Sequence, residues 1–242
     1  MAASSGIDRY VPANVLARVG SDGGGWATLE GTLCFADISG FTALSEKLAA
    51  RGRVGAEELT EVLNRVFGEM LSLAWDRGGT LLKYGGDALL LLFEGPDHAT
   101  QAASAAVEMR AALRRAVDVP TSVGRVMLRM SVGLHSGPVH LFMPTGTHRE
   151  LIVAGPTASQ VNEMEGTAVA GEIVVSDDTR DLLPPNAATK RKGDGWLLRW
   201  RTARTPPSGP PPGSDRSDDA PSEYLSTALR SVLTTGAIDS EH

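Results

Sequence analysis

Only one cysteine, Cys34, occurs in the 242 residues. No internal disulfide can form within the chain, which fits a reducing cytoplasm. A long basic block is also missing, and the formal net charge is −6. No general nucleic-acid surface is expected from such a balance. Long apolar runs are absent as well. The longest, Ala88–Phe93, is far too short to span a bilayer, so no membrane partner is expected. The start, Met1-Ala2-Ala3-Ser4-Ser5-Gly6, has neither the basic nor the apolar region of a signal peptide. What remains is an ordinary globular composition. The hydrophobic share of 42% supports one core. The length suits one domain of usual size with a tail.

The stretch Thr32–Thr42 organises the chain. Its apolar run, Leu33-Cys34-Phe35-Ala36, suits a central strand buried on both faces. The run ends on an acid, Asp37, before a small-residue turn, Ser39-Gly40. A helical pattern opens at Phe41-Thr42. Free N–H groups at a helix start attract anions. An acid at a strand end can hold the Mg²⁺ that accompanies a nucleotide. Taken alone, Asp37 reads more readily as a helix cap; the second stretch shifts that balance.

A second stretch, Gly79–Phe93, places two apolar runs around Tyr84-Gly85-Gly86-Asp87. It predicts two antiparallel strands with Asp87 at the tip. Gly85-Gly86 is expected to supply the positive φ values of a two-residue hairpin turn. Beside the Asp37 strand, this hairpin would bring both carboxylates to one end of one sheet. Two such acids repel unless a cation lies between them. A pair of divalent metals is the natural occupant. Asp87 as an ordinary turn residue is the alternative.

Phe35-Ala36-Asp37-Ile38-Ser39-Gly40-Phe41-Thr42 resembles the first metal motif of the class III nucleotidyl cyclases. Lys83-Tyr84-Gly85-Gly86-Asp87 resembles their Lys-x-x-Gly-Asp motif. The likeness runs from Gly31 to Ser176 and includes the helical gap between the motifs. The resemblance implies a ferredoxin-like α/β sandwich with a mixed, mainly antiparallel sheet. It implies a nucleotide, ATP or GTP, with two Mg²⁺ or Mn²⁺ ions per site. In that family the site forms between two cyclase domains. Carried over by motif, Asp37, Asp87 and the Ile38 backbone hold the metals. The turn Ser39, Gly40, Phe41 and Thr42 cradles the phosphates. Lys83 contacts the base of a nucleotide bound mainly by the partner domain, and Ile152 falls at the other base-reading position. The expected activity is cyclic-nucleotide formation, cAMP before cGMP, in intracellular signalling. A second copy or a tandem cyclase-like domain is the expected partner.

The second half of the site departs from the family's Gly-Asn-Thr-Val-Asn-x-x-x-Arg. Here the run is Gly155-Pro156-Thr157-Ala158-Ser159-Gln160-Val161-Asn162-Glu163. Ser159 stands where the ribose-orienting Asn is expected, and Glu163 where the transition-state Arg is expected. An acid in place of a phosphate-facing cation reverses the sign of that interaction. The competing reading is a weak or inactive nucleotide-binding regulatory module. A third is a diguanylate cyclase, from the Gly85-Gly86-Asp87 turn. It ranks lower, because Ala88-Leu89 stands where that family has an acid and an aromatic residue.

The rest of the chain frames this domain. Residues 1–27 read as a short helix and a loop, and 28–201 as the cyclase-like domain. Leu59, Val62, Leu63, Val66, Phe67, Met70, Leu71 and Ala74 form one apolar stripe, predicting a helix over 55–77. An Ala-rich helix is expected over 98–116. Its Arg110, Arg114 and Arg115 read as complements of the helix dipole, with no ligand. Strands are expected at 126–134, 139–142, 150–153, 172–175 and 195–200, with Gly137-Pro138 as a turn. A helix is expected from Gly155 through Met164. His135 and His140 read as strand-end residues, because they lack spaced Cys or His partners. Prolines crowd 202–221, the composition of a disordered linker. In 222–242, Tyr224–Leu233 repeats the aliphatic spacing of Tyr10–Val19. That repeat suggests a lead into a second cyclase-like domain beyond His242.

Overall fold

The structure is a computed structural model that describes residue 19 and residues 25–116, 120–125, 127–144 and 151–199. The calls on the first eighteen residues, on the linker and on Tyr224–Leu233 lie outside these residues. One long strand, β1 (Trp26–Ser39), runs through the middle of the sheet. Two helices follow, α1 (Phe41–Ala49) and α2 (Gly52–Asp76). The hairpin β2 (Gly79–Tyr84) and β3 (Ala88–Glu94) leads to α3 (His98–Ala116). A small ribbon, β4 (Pro120–Thr121) and β5 (Gly124–Arg125), precedes the second long strand, β6 (Arg129–Phe142). Then come β7 (Ile152–Ala154), α4 (Pro156–Thr167), β8 (Ile173–Val175) and α5 (Asp177–Asp181). The edge hairpin is β9 (Ala188–Lys192) and β10 (Gly195–Leu198).

The main sheet runs β2-β3-β1-β6-β8-β10-β9, with β7 paired to β6. Every pairing is antiparallel except β6 with β8. This is the mixed, mainly antiparallel sandwich that the motifs implied. Alternation along β1 divides its side chains between two layers. Cys34, Ala36 and Ile38 join the core beneath α1, α2 and α3, while Leu33 joins Val139, Leu141 and Val161 on the opposite face, which α4 covers. The whole predicted stripe of α2 is buried. Hence helices pack on both faces, and α4 lies on the face that carries Asp37.

Two local readings need correction. Gly137-Pro138 does not turn the chain; β6 continues through it and pairs with all of β1, from Trp26↔Phe142 to Ser39↔Arg129. Proline is tolerated because, among the described residues, β6 has no strand partner on its other side between the end of β8 pairing at Leu134 and the start of β7 pairing at His140. His135 and His140 consequently sit inside β6, not at strand ends. His135 is buried and bonded to Ser176 at 2.8 Å. The second correction concerns the hairpin. Three residues, Gly85, Gly86 and Asp87, join β2 to β3, and only Gly86 has positive φ (77°). Among the described residues, no helix is long and apolar enough to cross a membrane.

Candidate active site

The register of β1 and β3 places the two motif acids together. Asp37 lies opposite Ala88, the residue after Asp87, and Ile38 N donates to the Asp87 carbonyl at 3.1 Å. The hairpin end is braced from behind. Phe67 of α2 meets Tyr84 edge-on, with ring centroids 5.7 Å apart. Gly85 N donates to Ala88 O at 2.8 Å, which closes the loop.

Beyond Asp37 the chain turns at Gly40, with φ 93°, and enters α1. Only glycine suits this position. The φ is left-handed, and a Cβ would stand 3.0 Å from Met127 O. No side chain caps α1, and its first turn holds no acid. Its leading N–H groups therefore remain available to an anion. Ser39 is half-buried, Phe41 packs into the core, and Gly40 and Thr42 are exposed.

Electrostatics favour a cation here. Burial pushes the Asp37 carboxyl above the usual range, and the charges of Asp87 and then Glu165 push it further. Glu165 was not a sequence candidate. It reaches this end of the sheet from α4 and accepts a hydrogen bond from Ser131 Oγ at 2.7 Å. Ser131 lies directly across from Asp37 in β6. Its signal in the sequence was Gly133, a bare position in an apolar strand. A Cβ at Gly133 would stand 2.3 Å from Glu165 N, so α4 lies directly on the strand.

Two carboxylates and the Ile38 backbone oxygen are hard ligands suited to Mg²⁺ or Mn²⁺. Among the described residues, no group of three His, Cys, Asp or Glu side chains forms a complete cage. The raised Asp37 pKa has a sign that can be checked. A group raised in the folded state favours folding below its unfolded pKa and loses that contribution as pH rises through its folded pKa. Without divalent metal, Asp37→Asn is therefore expected to raise Tm at pH 7 and to change it less at pH 4. About 2–4 °C is expected for each kcal/mol recovered. Mn²⁺ should raise the wild-type Tm at pH 7 and do less for the variant. A lowered Tm in the Asn variant at pH 7 contradicts the assignment.

The other motif positions lie elsewhere. Lys83 is exposed on β2, opposite Leu90, just past a bulge. Ser159 and Glu163 are both exposed, one turn apart on α4, whereas Thr157, Val161 and Met164 are its buried residues. Ile152 stands on β7 opposite Phe142, at the far end of β6 from Ser131. Between residues 131 and 142 the strand advances about 35 Å if extended. The odd spacing also puts Ile152 and Asp37 on opposite faces. One chain thus brings Asp37 and Asp87 together and leaves Ile152 far from them.

The family model for the adenylate and guanylate cyclase catalytic domain matches residues 28–199. A membrane guanylyl cyclase of Dictyostelium discoideum is 26% identical over 181 residues, 72% of this chain and 11% of the relative. The chain therefore spans about a tenth of that protein. The adenylyl cyclase CyaB from P. aeruginosa superposes with a TM-score of 0.61 at 25% identity, covering 74% of this chain and 97% of that one. The catalytic core of a rhodopsin-guanylyl cyclase with converted specificity, solved with ATPalphaS, gives a TM-score of 0.57 at 25% identity. That match covers 72% of this chain and 97% of the other.

Proposed function

Because this chain belongs to the adenylate and guanylate cyclase catalytic domain family, we propose that it binds a metal–nucleoside triphosphate, ATP before GTP, and forms cyclic nucleotide only with a partner cyclase domain. The observation that carries this reading is the meeting of Asp37 and Asp87 beside the uncapped start of α1. In the reaction, the 3′-hydroxyl oxygen bonds to the α-phosphorus, the bond to the pyrophosphate oxygen breaks, pyrophosphate leaves, and the hydroxyl proton passes to solvent water. Bound divalent cations supply charge neutralisation and a more acidic hydroxyl. Asp37, Asp87 and the Ile38 backbone oxygen would hold them. The N–H groups after Gly40 donate to phosphate oxygens, and the small turn lets the phosphates approach the backbone. Lys83 contacts the base of a second nucleotide, held mainly by the partner.

Ser159 and Glu163 provide neither the Asn nor the Arg of the family motif. Loss of one preorganised stabilising group costs on the order of 10²–10³ in rate. A self-paired chain is accordingly a poor cyclase. The exposed acid at Glu163 also favours the second reading, a regulatory module that binds nucleotide without turning it over. One pair of measurements decides. Calorimetry with Mn²⁺–ATP should show binding that falls at least about tenfold in Asp37→Ala, about 1.4 kcal/mol. A turnover assay with ATP and GTP should give little cyclic product from the chain alone and more when a complementary cyclase domain is added. Equal affinity in the variant removes the metal assignment. Binding without product in the mixture favours the regulatory module.

A further inference from the structure

Six polar side chains form one unbroken row of hydrogen bonds inside the domain. It starts at His98, the first residue of α3, whose Nδ1 lies 2.6 Å from Thr32 Oγ1 on β1. Thr32 Oγ1 lies 2.8 Å from Ser136 Oγ, directly across in β6. Ser136 Oγ donates to Thr179 Oγ1 on α5 at 3.0 Å. Thr179 Oγ1 lies 3.2 Å from Ser176 Oγ, the cap of that helix. Ser176 Oγ lies 2.8 Å from His135 Nδ1. His98 is half-buried, and the other five residues are buried.

The row has one polarity. A hydroxyl has a single hydrogen to donate. Ser136 gives its hydrogen to Thr179, so Thr32 donates to Ser136, and His98 Nδ1–H donates to Thr32. Onward, Thr179 donates to Ser176, and Ser176 to His135. His135 Nδ1 is therefore an acceptor, and its hydrogen sits on Nε2. His98 can take a proton on Nε2 and still donate from Nδ1. His135 can take one only on Nδ1. That reverses every bond of the row and requires His98 Nδ1 to accept. With both rings charged, four hydroxyl hydrogens and two N–H hydrogens compete for five contacts. One buried contact must then break.

The charged groups that act on the two rings are Glu30, on β1, and Asp178, on α5, whose Oδ2 is 4.0 Å from His135 Nδ1. Both favour the cation. Burial is the larger effect and holds both imidazoles below the usual histidine range. A folded-state pKa below the unfolded value, about 6.5, gives stability that is present above the unfolded pKa and lost as pH falls through the folded one.

We propose that the row is a pH-sensitive latch: it accepts one proton, refuses a second while intact, and releases α5 from β6 when acid forces the second on. The weakest holding lies at α5, a helix of five residues fixed by its Ser176 cap and the Thr179 hydroxyl. Thr32 and Ser136, by contrast, sit within a strand pairing that runs the full length of β1 and β6. The inference does not rest on the cyclase reading.

NMR titration of the imidazole rings in the full chain tests the coupling. His98→Gln supplies an amide that can accept as well as donate. His135 should then bind its proton at least about threefold more tightly, a rise of about half a pH unit. Loss of the His98 charge alone would also give that rise. Ser136→Ala keeps both rings and cuts the row, and the same rise at His135 is expected. Thr179→Val, close to the native shape, cuts it one residue further on and serves if Ser136→Ala does not fold. An unchanged His135 titration in the variant that cuts the row overturns the coupling, whatever His98→Gln does. Hydrogen exchange at about pH 5 and about pH 7, corrected for intrinsic rates, reads the latch. The Thr179, Arg180 and Leu182 amides, which bond within α5 and its cap, should lose at least about tenfold in protection at the lower pH relative to the buried turns of α2. Equal protection of α5 at the two pH values overturns the latch.

Discussion

Restoring the missing pair, Ser159→Asn with Glu163→Arg, is expected to raise cyclic-nucleotide formation by on the order of 10²–10³ for each stabilising group recovered. The two positions are one turn apart on the exposed side of α4, so the new side chains need displace nothing in the core. Asp37 and Asp87 lie together at one end of the sheet, and Glu163 is replaced by a cation that a partner's phosphates can meet. A mixing experiment isolates the shared site. One chain carries Asp37→Asn together with the double replacement. The other is wild type. The first lacks a metal acid and the second lacks the Asn and Arg. Neither should turn over alone, and the mixture should. Full activity in the triple variant by itself would show that one chain completes its own site. An inactive mixture, with dimerisation confirmed by sedimentation, would rule out the assignment of Ser159 and Glu163.

The second large effect is structural. Gly133→Ala is expected to destabilise the domain by about 1–3 kcal/mol, the usual cost of overpacking. The added Cβ would stand 2.3 Å from Glu165 N and 2.4 Å from Val161 O. Both are backbone atoms, so no side-chain rotation relieves the clash and α4 must move away from β6. Glu165 would leave Ser131 with it, and Mn²⁺–ATP affinity should change alongside stability. Gly166→Ala on the same helix is the control. Nothing lies within 4 Å of a Cβ there, so the change should be neutral or mildly stabilising. Denaturant titration of the three proteins tests this. A Gly133→Ala midpoint equal to wild type would mean that α4 does not seat on that glycine.

Much of the architecture was legible because it depends on short-range patterns. The stripe from Leu59 to Ala74 had the helical period and is buried without exception. The apolar run at Leu33–Ala36 suited a covered strand, and it lies centrally in the sheet. Glycines at the hairpin announced a reversal, although the sequence misplaced its positive φ. Such signals reside in the few residues that produce them. The error at Gly137-Pro138 has the opposite origin. A proline ends a strand only when its missing N–H is needed by a neighbour, and which neighbours β6 has is a fact of sheet order.

The sequence by itself determined the domain class and singled out two candidate acids, Asp37 and Asp87, because each motif is contiguous along the chain. Tertiary structure alone decided what surrounds them. Glu165 and Ser131 enter the site through the packing of α4 on Gly133 and through the β1–β6 register. Each is a meeting of residues distant in the chain. Burial and Coulomb interaction depend on separation in space, which no local pattern records.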